Sequence, residues 1–202
     1  MTQVIIASNN AHKVEEIETA LNFEGWEFQT LRQAGIESDP VEDADSFEGN
    51  ARIKARAARE ACGGRYAVLA DDSGLAVDAL NGAPGVYSSR YAGEDGNDAA
   101  NNAKLFEELA NVPDSERTAR FVCTLVFIDV DGNETIARGT IEGRIGHELV
   151  GENGFGYDPL FIPDCFGGNL TLAQVDQGKK NSVSHRGNAL RVLRQKLSEV
   201  GA

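Results

Sequence analysis

The spacing of hydrophobic residues changes several times along the chain, and these changes predict alternating strands and helices. The apolar run "QVIIAS" is typical of a buried strand, and in the following "NNAHKVEEIETAL" the apolar residues recur at helical spacing. A second helix is predicted over "SFEGNARIKARAAREAC", with Ser46 as its N-terminal cap, and "YAVLA" then predicts a short buried strand. This alternation indicates an α/β sheet.

The second half of the chain carries longer strand patterns. "RTARFVCTLVFIDV" and "ETIARGTIEGRI" predict two strands joined by Asp131-Gly132, a dipeptide typical of hairpin turns. Helices are predicted from about Asp98 to Leu109 and from about Arg186 to Val200. We therefore expect a mixed α/β protein with a central cleft between two lobes.

Composition narrows the classes of partner. The 202 residues carry a formal net charge of −13, so the surface as a whole repels polyanions, although the same acidity would also fit simple solubility or a source with high internal salt. No apolar run approaches the roughly 20 residues that span a bilayer, and the N-terminus has no signal-peptide pattern. Three widely spaced cysteines fit a reducing compartment. We expect a cytoplasmic protein that binds neither nucleic acid nor membrane.

The turn between the first strand and the first helix is a candidate phosphate site. A helix N-terminus attracts anions through its unpaired N–H groups, and Ser8, Asn10 and Lys13 would add side-chain donors around it. Capping by Asn9 or Asn10 with a solvated Lys13 is the alternative. The chain has no GxxxxGK[ST] motif, which excludes a P-loop, and "HELVG" lacks the second His of a zinc-protease motif.

An acidic pair, Asp71 and Asp72, follows "YAVLA" within the segment "ADDSG". Ligands of open α/β sheets bind beyond the carboxyl ends of strands, which favours a functional pair, although Asp-Ser-Gly also supports a simple turn. Mg²⁺ would relieve the repulsion between the carboxylates, and it takes only one or two protein carboxylates plus water and substrate phosphates. Asp72 with one distant carboxylate, Glu42, would suffice.

Two sets of cations are candidates for contacts with phosphate or carbonyl oxygens. Lys54 lies four residues after Asn50, so the two side chains share a helix face, and it could contact a phosphate, orient a water molecule or be merely exposed. Lys180, His185 and Arg186 are concentrated before the last predicted helix in an otherwise acidic chain. Arg186 can donate to an oxygen in a fork, and His185 can donate one N–H or act as a general base. A solvated helix start is the alternative.

The segment "GENGFGYDPLFIP" contains Phe155-Gly156-Tyr157-Asp158. Its glycines would let the backbone approach a ligand closely, while Phe155 offers a flat face on which a base could stack. Two core aromatics at the entry to a strand are the alternative.

Together these segments resemble the inosine/xanthosine triphosphate pyrophosphatase family nearly from end to end. The matching segments are "SNNAHK", "SFEGNARIKA", "ADDSGLAVDALNGAPGVYSSRYAG", "GFGYDPLF" and "KNSVSHRGNAL". The resemblance implies an elongated mixed sheet flanked by helices, a single domain of two lobes over residues 1–202, and a homodimer. It also implies Mg²⁺-dependent hydrolysis of ITP, dITP and XTP to the monophosphate and pyrophosphate, which keeps deaminated purines out of DNA and RNA.

The resemblance also assigns roles to residues. Asp72 would be the general base and a magnesium ligand, Asp71 its helper and Ser73 a substrate contact. Glu42 would be the second metal ligand, although the loop around it lacks the glycine of the family pattern. The triphosphate would bind Lys54 together with Ser8, Asn9, Asn10, Ala11, His12 and Lys13. The remaining nucleotide contacts would be Phe155, Gly156, Tyr157, Asp158, Lys180, His185 and Arg186.

Base selection and two other functions stay open on these residues. Inosine and xanthosine present an acceptor oxygen where adenine presents an amino donor, so donors such as Arg186 and His185 would favour the former. A pyrophosphatase of pyrimidine triphosphates would share the carboxylates and lysines but not the "SHR" and "FGYD" segments. A nucleotide-binding sensor without turnover is the alternative from another class.

Overall fold

The structure, a computed structural model, describes residues 2–8, 11–20 and 25–200. Strands and helices alternate first and strands then dominate, as predicted. In chain order the elements of the described residues are β1 Thr2–Ile6, α1 Ala11–Ala20, β2 Trp26–Thr30, α2 Phe47–Ala61, β3 Ala67–Val77, α3 Asp98–Glu108, β4 Thr118–Ile128, β5 Glu134–Ile145, β6 Phe161–Pro163, α4 Gln177–Val183 and α5 His185–Val200. None of these helices combines the length and apolar character needed to cross a bilayer.

The six strands of the described ranges form one sheet in the order β2-β1-β3-β4-β5-β6. β1 pairs in parallel with β2 and with β3, and antiparallel pairing joins β5 to β6. Parallel neighbours need a crossover connection, and the chain supplies α1 between β1 and β2 and α2 between β2 and β3. The predicted mixed α/β fold with a mixed sheet flanked by helices is confirmed, whereas the central cleft stays a prediction.

The chain divides into two compact units. One comprises Met1–Asp72, Cys123–Gly139 and Arg186–Ala202, and the other comprises Ser73–Val122 and Thr140–His185. Each unit has a hydrophobic core of its own among the described residues. In the first unit, buried residues of α1 and α5 cover one face of the strands and those of α2 cover the opposite face.

The alternation of side chains along β3 decides where the acidic pair points. Leu69 packs among residues of α1 and α5, whereas Val68 and Ala70 pack among residues of α2. Successive side chains of a strand point to opposite faces. Asp71 therefore faces the α1 and α5 side, and Asp72 faces the α2 side.

The turn predicted at "ADDSG" is wrong, because β3 runs without interruption from Ala67 to Val77. Leu75 and Val77 are fully buried in the core of the second unit, so burial of this later segment outweighs the local turn preference of Asp-Ser-Gly. The cap predicted for the second helix is confirmed, since the side chain of Ser46 accepts a hydrogen bond from the N–H of Gly49 at 3.2 Å.

Candidate active site

The Asp71 carboxylate is the centre of a buried ion-pair cluster. Lys13 on α1 places its Nζ 2.9 Å from Oδ1 of Asp71, and Arg186 on α5 donates from Nε to Oδ2 at 2.9 Å. The same guanidinium donates to Glu16, which lies one helical turn after Lys13 on α1. Two carboxylates and two cations thus meet inside the first unit, and their formal charges cancel.

The environment of Asp71 keeps it ionised. Its side chain is fully buried, and burial alone would raise the pKa of Asp71. The positive charges of Arg186 and Lys13, with their hydrogen bonds, outweigh this effect and hold the pKa of Asp71 well below its ordinary value. Such a carboxylate is a poor proton acceptor near neutral pH, so it suits an anchoring role better than that of a general base.

On the opposite face of β3, Asp72 belongs to a second cluster. Lys54 on α2 donates from Nζ to Oδ1 of Asp72 and to Oε2 of Glu42, each at 2.8 Å. The loop that carries Glu42 is fixed in turn by Asn50, whose Oδ1 accepts from the N–H of Ala44 at 3.0 Å. Among the described residues, one ammonium therefore binds two carboxylates, and the charge of Lys13 also acts on Asp72.

The pKa of Asp72 shifts in the opposite direction from that of Asp71. Burial is the largest cause and raises the pKa of Asp72, while the charges of Lys54 and Lys13 only partly offset it. Two adjacent carboxylates with opposite pKa shifts are typical of sites that divide anchoring from proton transfer. Asp72 is accordingly the better proton acceptor of the two.

The second cluster also fits a divalent cation. Oδ2 of Asp72 is buried and has no hydrogen-bond partner among the residues that the structure describes. Across the same residues no group of three or more His, Cys, Asp or Glu side chains could hold a metal. Mg²⁺ needs only one or two protein carboxylates when water and phosphates complete its shell, so Asp72 and Glu42 could hold it once a triphosphate is present.

The predicted phosphate turn is described only in part. Asn9 and Asn10 lie outside the described residues, and of Ala11 and His12 the backbone alone is described, as the start of α1. Ser8 is half-buried at the end of the first strand. The alternative of a solvated Lys13 is wrong, because this side chain is 16% exposed and paired with Asp71.

The glycine-rich segment of the second unit folds around the Asp158 carboxylate. Oδ2 of Asp158 accepts from the N–H of Phe155 at 3.0 Å and from Nζ of Lys180 at 2.8 Å. A Cβ at Gly154 would clash with this carboxylate, which explains the glycine. Nζ of Lys180 also lies 4.9 Å from the centre of the Phe155 ring. Asp158 and Lys180 therefore shape the segment that presents Phe155.

The two aromatic residues of "FGYD" differ in exposure. Phe155 is half-buried, whereas Tyr157 is buried in the core of the second unit and donates its hydroxyl to the carbonyl of Ser88 at 2.9 Å. Burial raises the pKa of Tyr157, so this hydroxyl keeps its proton. Of the two rings, that of Phe155 is exposed enough to contact a ligand. The interpretation as a core aromatic fits Tyr157.

The segment "SHR" also lies inside the protein. The ring of His185 stacks on Phe121 with centroids 4.9 Å apart, and its residue is 5% exposed. Arg186 is 1% exposed and its guanidinium is engaged by Asp71 and Glu16. Lys180 lies on α4 and Ser73 is half-buried on β3. In this arrangement Arg186 is a partner of Asp71 and Glu16, whereas the sequence suggests that it donates to a base.

A protein-family model described as the Ham1 family matches residues 4–196. The chain belongs to the Ham1 family. It is 46% identical over 205 residues to the dITP/XTP pyrophosphatase of Clostridium perfringens, with 99% of each chain covered. Over 196 residues it is 47% identical to the dITP/XTP pyrophosphatase of Exiguobacterium sibiricum, with 97% of each covered.

Solved structures of the Ham1 family agree with this assignment. A HAM1 protein from Coxiella burnetii superposes with a TM-score of 0.88 at 39% identity, covering 98% of this chain and 100% of that one. A nucleoside-triphosphatase / dITP/XTP pyrophosphatase from Mycobacterium abscessus gives a TM-score of 0.78 at 41% identity, covering 97% and 100%. The resemblance read from the sequence is confirmed.

The sequence alone did not identify several side chains that contact the candidate residues of this Ham1-family chain. Glu16 binds Arg186, Asn50 holds the loop of Glu42, and Asp98 and Asn102 contact Gly156. A signal existed for Glu16, since an acid between the core positions Val14 and Ile17 of an amphipathic helix calls for a buried cation. The others are ordinary polar residues of helices, whose partners only the fold reveals.

The second unit also contains a cavity of about 370 Å³ that none of the candidate residues lines. Arg117, one of its lining residues, is 2% exposed. Its guanidinium nitrogens donate to the carbonyl groups of Ile145, Leu109 and Gly146. Ile145 is the last residue of β5, Gly146 follows it, and Leu109 follows α3. Arg117 therefore connects the end of β5 to the end of α3.

Proposed function

We infer that this chain hydrolyses non-standard purine nucleoside triphosphates, namely dITP, ITP and XTP, to the nucleoside monophosphate and pyrophosphate. The reaction removes deaminated purines from the nucleotide pool before they enter DNA and RNA. Curated relatives of nearly the same length, at 46% and 47% identity, are dITP/XTP pyrophosphatases. The observation that carries the mechanism is the placement of the two carboxylates: Asp71 is paired with Lys13 and Arg186, whereas Asp72 shares Lys54 with Glu42.

In the proposed reaction Asp72 accepts a proton from the attacking water, whose oxygen forms a bond to the α-phosphorus. The bond from the α-phosphorus to its bridging oxygen breaks, and pyrophosphate leaves. Lys54 orients Asp72 through Oδ1, while Lys13, paired with Asp71, supplies positive charge for the phosphates. Phosphoryl-type transfer depends mainly on positioning and electrostatics, so this set needs no covalent nucleophile.

We further propose that Mg²⁺ is the metal, held by Asp72 and Glu42. When bound, it would neutralise charge on the phosphate oxygens and on the leaving pyrophosphate. Two observations support this proposal: Oδ2 of Asp72 is buried with no hydrogen-bond partner in the described part of the chain, and the carboxylates of Asp72 and Glu42 converge on Lys54. Without a divalent cation these two carboxylates would repel a triphosphate.

The base is proposed to stack on Phe155, with Asp158 and Lys180 shaping its segment. Arg186 is proposed to hold Asp71 in place instead of contacting the base, because its guanidinium binds Asp71 and Glu16. His185, whose ring stacks on Phe121, would support the second unit, which also contains Phe155. Phosphate contacts are also proposed for Ser8, Asn9, Asn10, Ala11 and His12, and a substrate contact for Ser73, as the resemblance implies.

Release of pyrophosphate from ITP in the presence of Mg²⁺, compared with CTP at equal concentration, tests the function. We expect rapid release from ITP and little from CTP. Preference for CTP would identify a pyrimidine triphosphate pyrophosphatase, and tight nucleotide binding without release would identify a sensor.

Removal of divalent cations is expected to abolish activity. Without the metal, the carboxylates of Asp72 and Glu42 face the triphosphate, and the ammonium of Lys54 already pairs with both of them. Pyrophosphate release should stop, return with Mg²⁺ and respond little to Ca²⁺, whose looser geometry suits in-line attack poorly. EDTA saturated beforehand with Mg²⁺ is the control and should have no effect. Undiminished activity in EDTA would remove the metal from the mechanism.

A cytoplasmic homodimer completes the proposal. Support for a reducing compartment comes from Cys62, Cys123 and Cys165, which form no disulfide within the described part of the chain. The homodimer follows from the resemblance, and the sedimentation of the purified protein would test it.

A further inference from the structure

The segment that presents Phe155 is fastened to α3 through both backbone groups of Gly156. The N–H of Gly156 donates to Oδ2 of Asp98 at 2.7 Å, and Nδ2 of Asn102 donates to the carbonyl of Gly156 at 2.9 Å. Asp98 and Asn102 are four residues apart, so they lie on one face of the helix. A single helix face therefore holds this residue from both sides.

The side chains of Asp98 and Asn102 form a clamp on Gly156, and the conformation of this glycine explains why a clamp is useful. Its φ is +62°, a value that residues with a Cβ rarely adopt, yet a Cβ at this position would meet no atom within 4 Å. The glycine therefore serves the backbone conformation and not close packing. Since glycine has many accessible conformations, external hydrogen bonds are needed to select one of them, and Phe155 directly precedes it.

Of the two side chains in the clamp, Asn102 is 5% exposed, while Asp98 is exposed at the start of α3. Asn102 gives its amide donor to Gly156, and its Oδ1 has no hydrogen-bond partner among the residues described. Burying an amide group with one atom unpaired costs free energy. The hydrogen bond from Asn102 to Gly156 is therefore the contact that accounts for the burial of Asn102.

We propose that Asp98 and Asn102 are positioning residues that hold the Phe155 ring ready for the base of the substrate. This inference rests on the proposed function. Neither side chain belongs to the ion-pair clusters of Asp71 and Asp72. If the segment is already ordered, no conformational entropy of the segment is lost when the nucleotide binds. The clamp therefore acts on substrate affinity and not on turnover.

Kinetics of Asp98→Ala and Asn102→Ala test the proposal. Each variant loses one hydrogen bond to Gly156, and we expect KM for dITP to rise about three- to tenfold with kcat changed less than about twofold. Deoxyinosine monophosphate should inhibit these variants more weakly by a similar factor, because it carries the base. Inhibition by pyrophosphate, which has no base, should be unchanged.

Asn101→Ala is the matched control for Asn102→Ala. Asn101 precedes Asn102 on α3, is 2% exposed and makes two side-chain hydrogen bonds, from the N–H of Ala92 at 2.7 Å and to the carbonyl of Ser89 at 3.0 Å. Its loss should lower thermal stability while KM for dITP stays at the wild-type value. Asp98→Asn keeps an acceptor oxygen for Gly156 and should restore most of the affinity that Asp98→Ala loses.

A double-mutant cycle with Phe155→Ala decides whether the clamp acts through the ring. If it does, Asp98→Ala should raise KM in the wild-type background and leave it unchanged once Phe155 is removed. Equal effects in both backgrounds, or no rise in KM for Asp98→Ala, would overturn the proposal. Because Asp98 is exposed, this cycle remains decisive even if Asn102→Ala fails to fold. Failure of the proposed function has a different signature, namely no pyrophosphate release from dITP by the wild-type protein.

Discussion

Asp72→Asn is expected to lower turnover of dITP by on the order of 10²-fold or more, the usual scale for the loss of a positioned general base. The amide cannot accept the proton of the attacking water, although it keeps the shape of the carboxylate. Contacts with the base should survive, because Phe155 is unchanged, while the loss of a metal contact at Asp72 would deepen the defect. Initial rates at saturating Mg²⁺ and nucleotide measure the effect.

The dependence of this rate on pH identifies Asp72 further. Burial raises the pKa of Asp72 in the metal-free protein. Asp72 must be ionised to accept the proton and to hold Mg²⁺, so wild-type activity should fall as pH decreases and this carboxylate becomes protonated. The remaining activity of Asp72→Asn should lack this acidic limb. Asp45→Asn, an exposed change in the loop after Glu42, should behave like the wild type. A variant at Asp72 that kept most of its turnover would exclude it as the base.

Arg186→Met is expected to lower the free energy of unfolding by about 3–5 kcal/mol, the range found when one partner of a buried ion pair is removed. Arg186 is 1% exposed, and its loss leaves Asp71 and Glu16 buried with Lys13 as the nearest cation to Asp71. Urea denaturation of variant and wild type at neutral pH measures the difference.

A matched change on the same helix separates this effect from a general loss of arginine. Arg194 is exposed on α5, so Arg194→Met should change the free energy of unfolding by less than about 0.5 kcal/mol. If Arg186→Met were as stable as the wild type and narrowed the preference for dITP over dATP, Arg186 would read the base, as the sequence alone suggested.

The sequence predicts the long strands and four of the five described helices well, because their hydrophobic periods are regular, but it missed the short α4. The helix that begins at Ser46 and the hairpin at Asp131-Gly132 depend on neighbouring residues alone, and the structure agrees with both. The strands over Trp26–Thr30 and Phe161–Pro163 were not predicted. They are short, and their place in the sheet depends on pairing with distant segments.

The candidate site shows why local patterns are not sufficient. The turn signal of "ADDSG" predicted adjacent carboxylates that repel each other, whereas a continuous strand sends Asp71 and Asp72 to opposite faces. Arg186 binds Asp71, which lies 115 residues away in the chain, and Glu16, which lies 170 residues away. No window of sequence contains both partners, so the role of Arg186 could be inferred only from the folded chain.

The most direct test of the account is hydrolysis of an equimolar mixture of dITP, dATP and dCTP in ¹⁸O-labelled water with Mg²⁺, followed by mass spectrometry of the products. Attack of water on the α-phosphorus predicts one ¹⁸O atom in deoxyinosine monophosphate and none in pyrophosphate, while dATP and dCTP stay largely intact. Label in pyrophosphate, release of orthophosphate with a nucleoside diphosphate, or equal consumption of the three nucleotides would contradict the account.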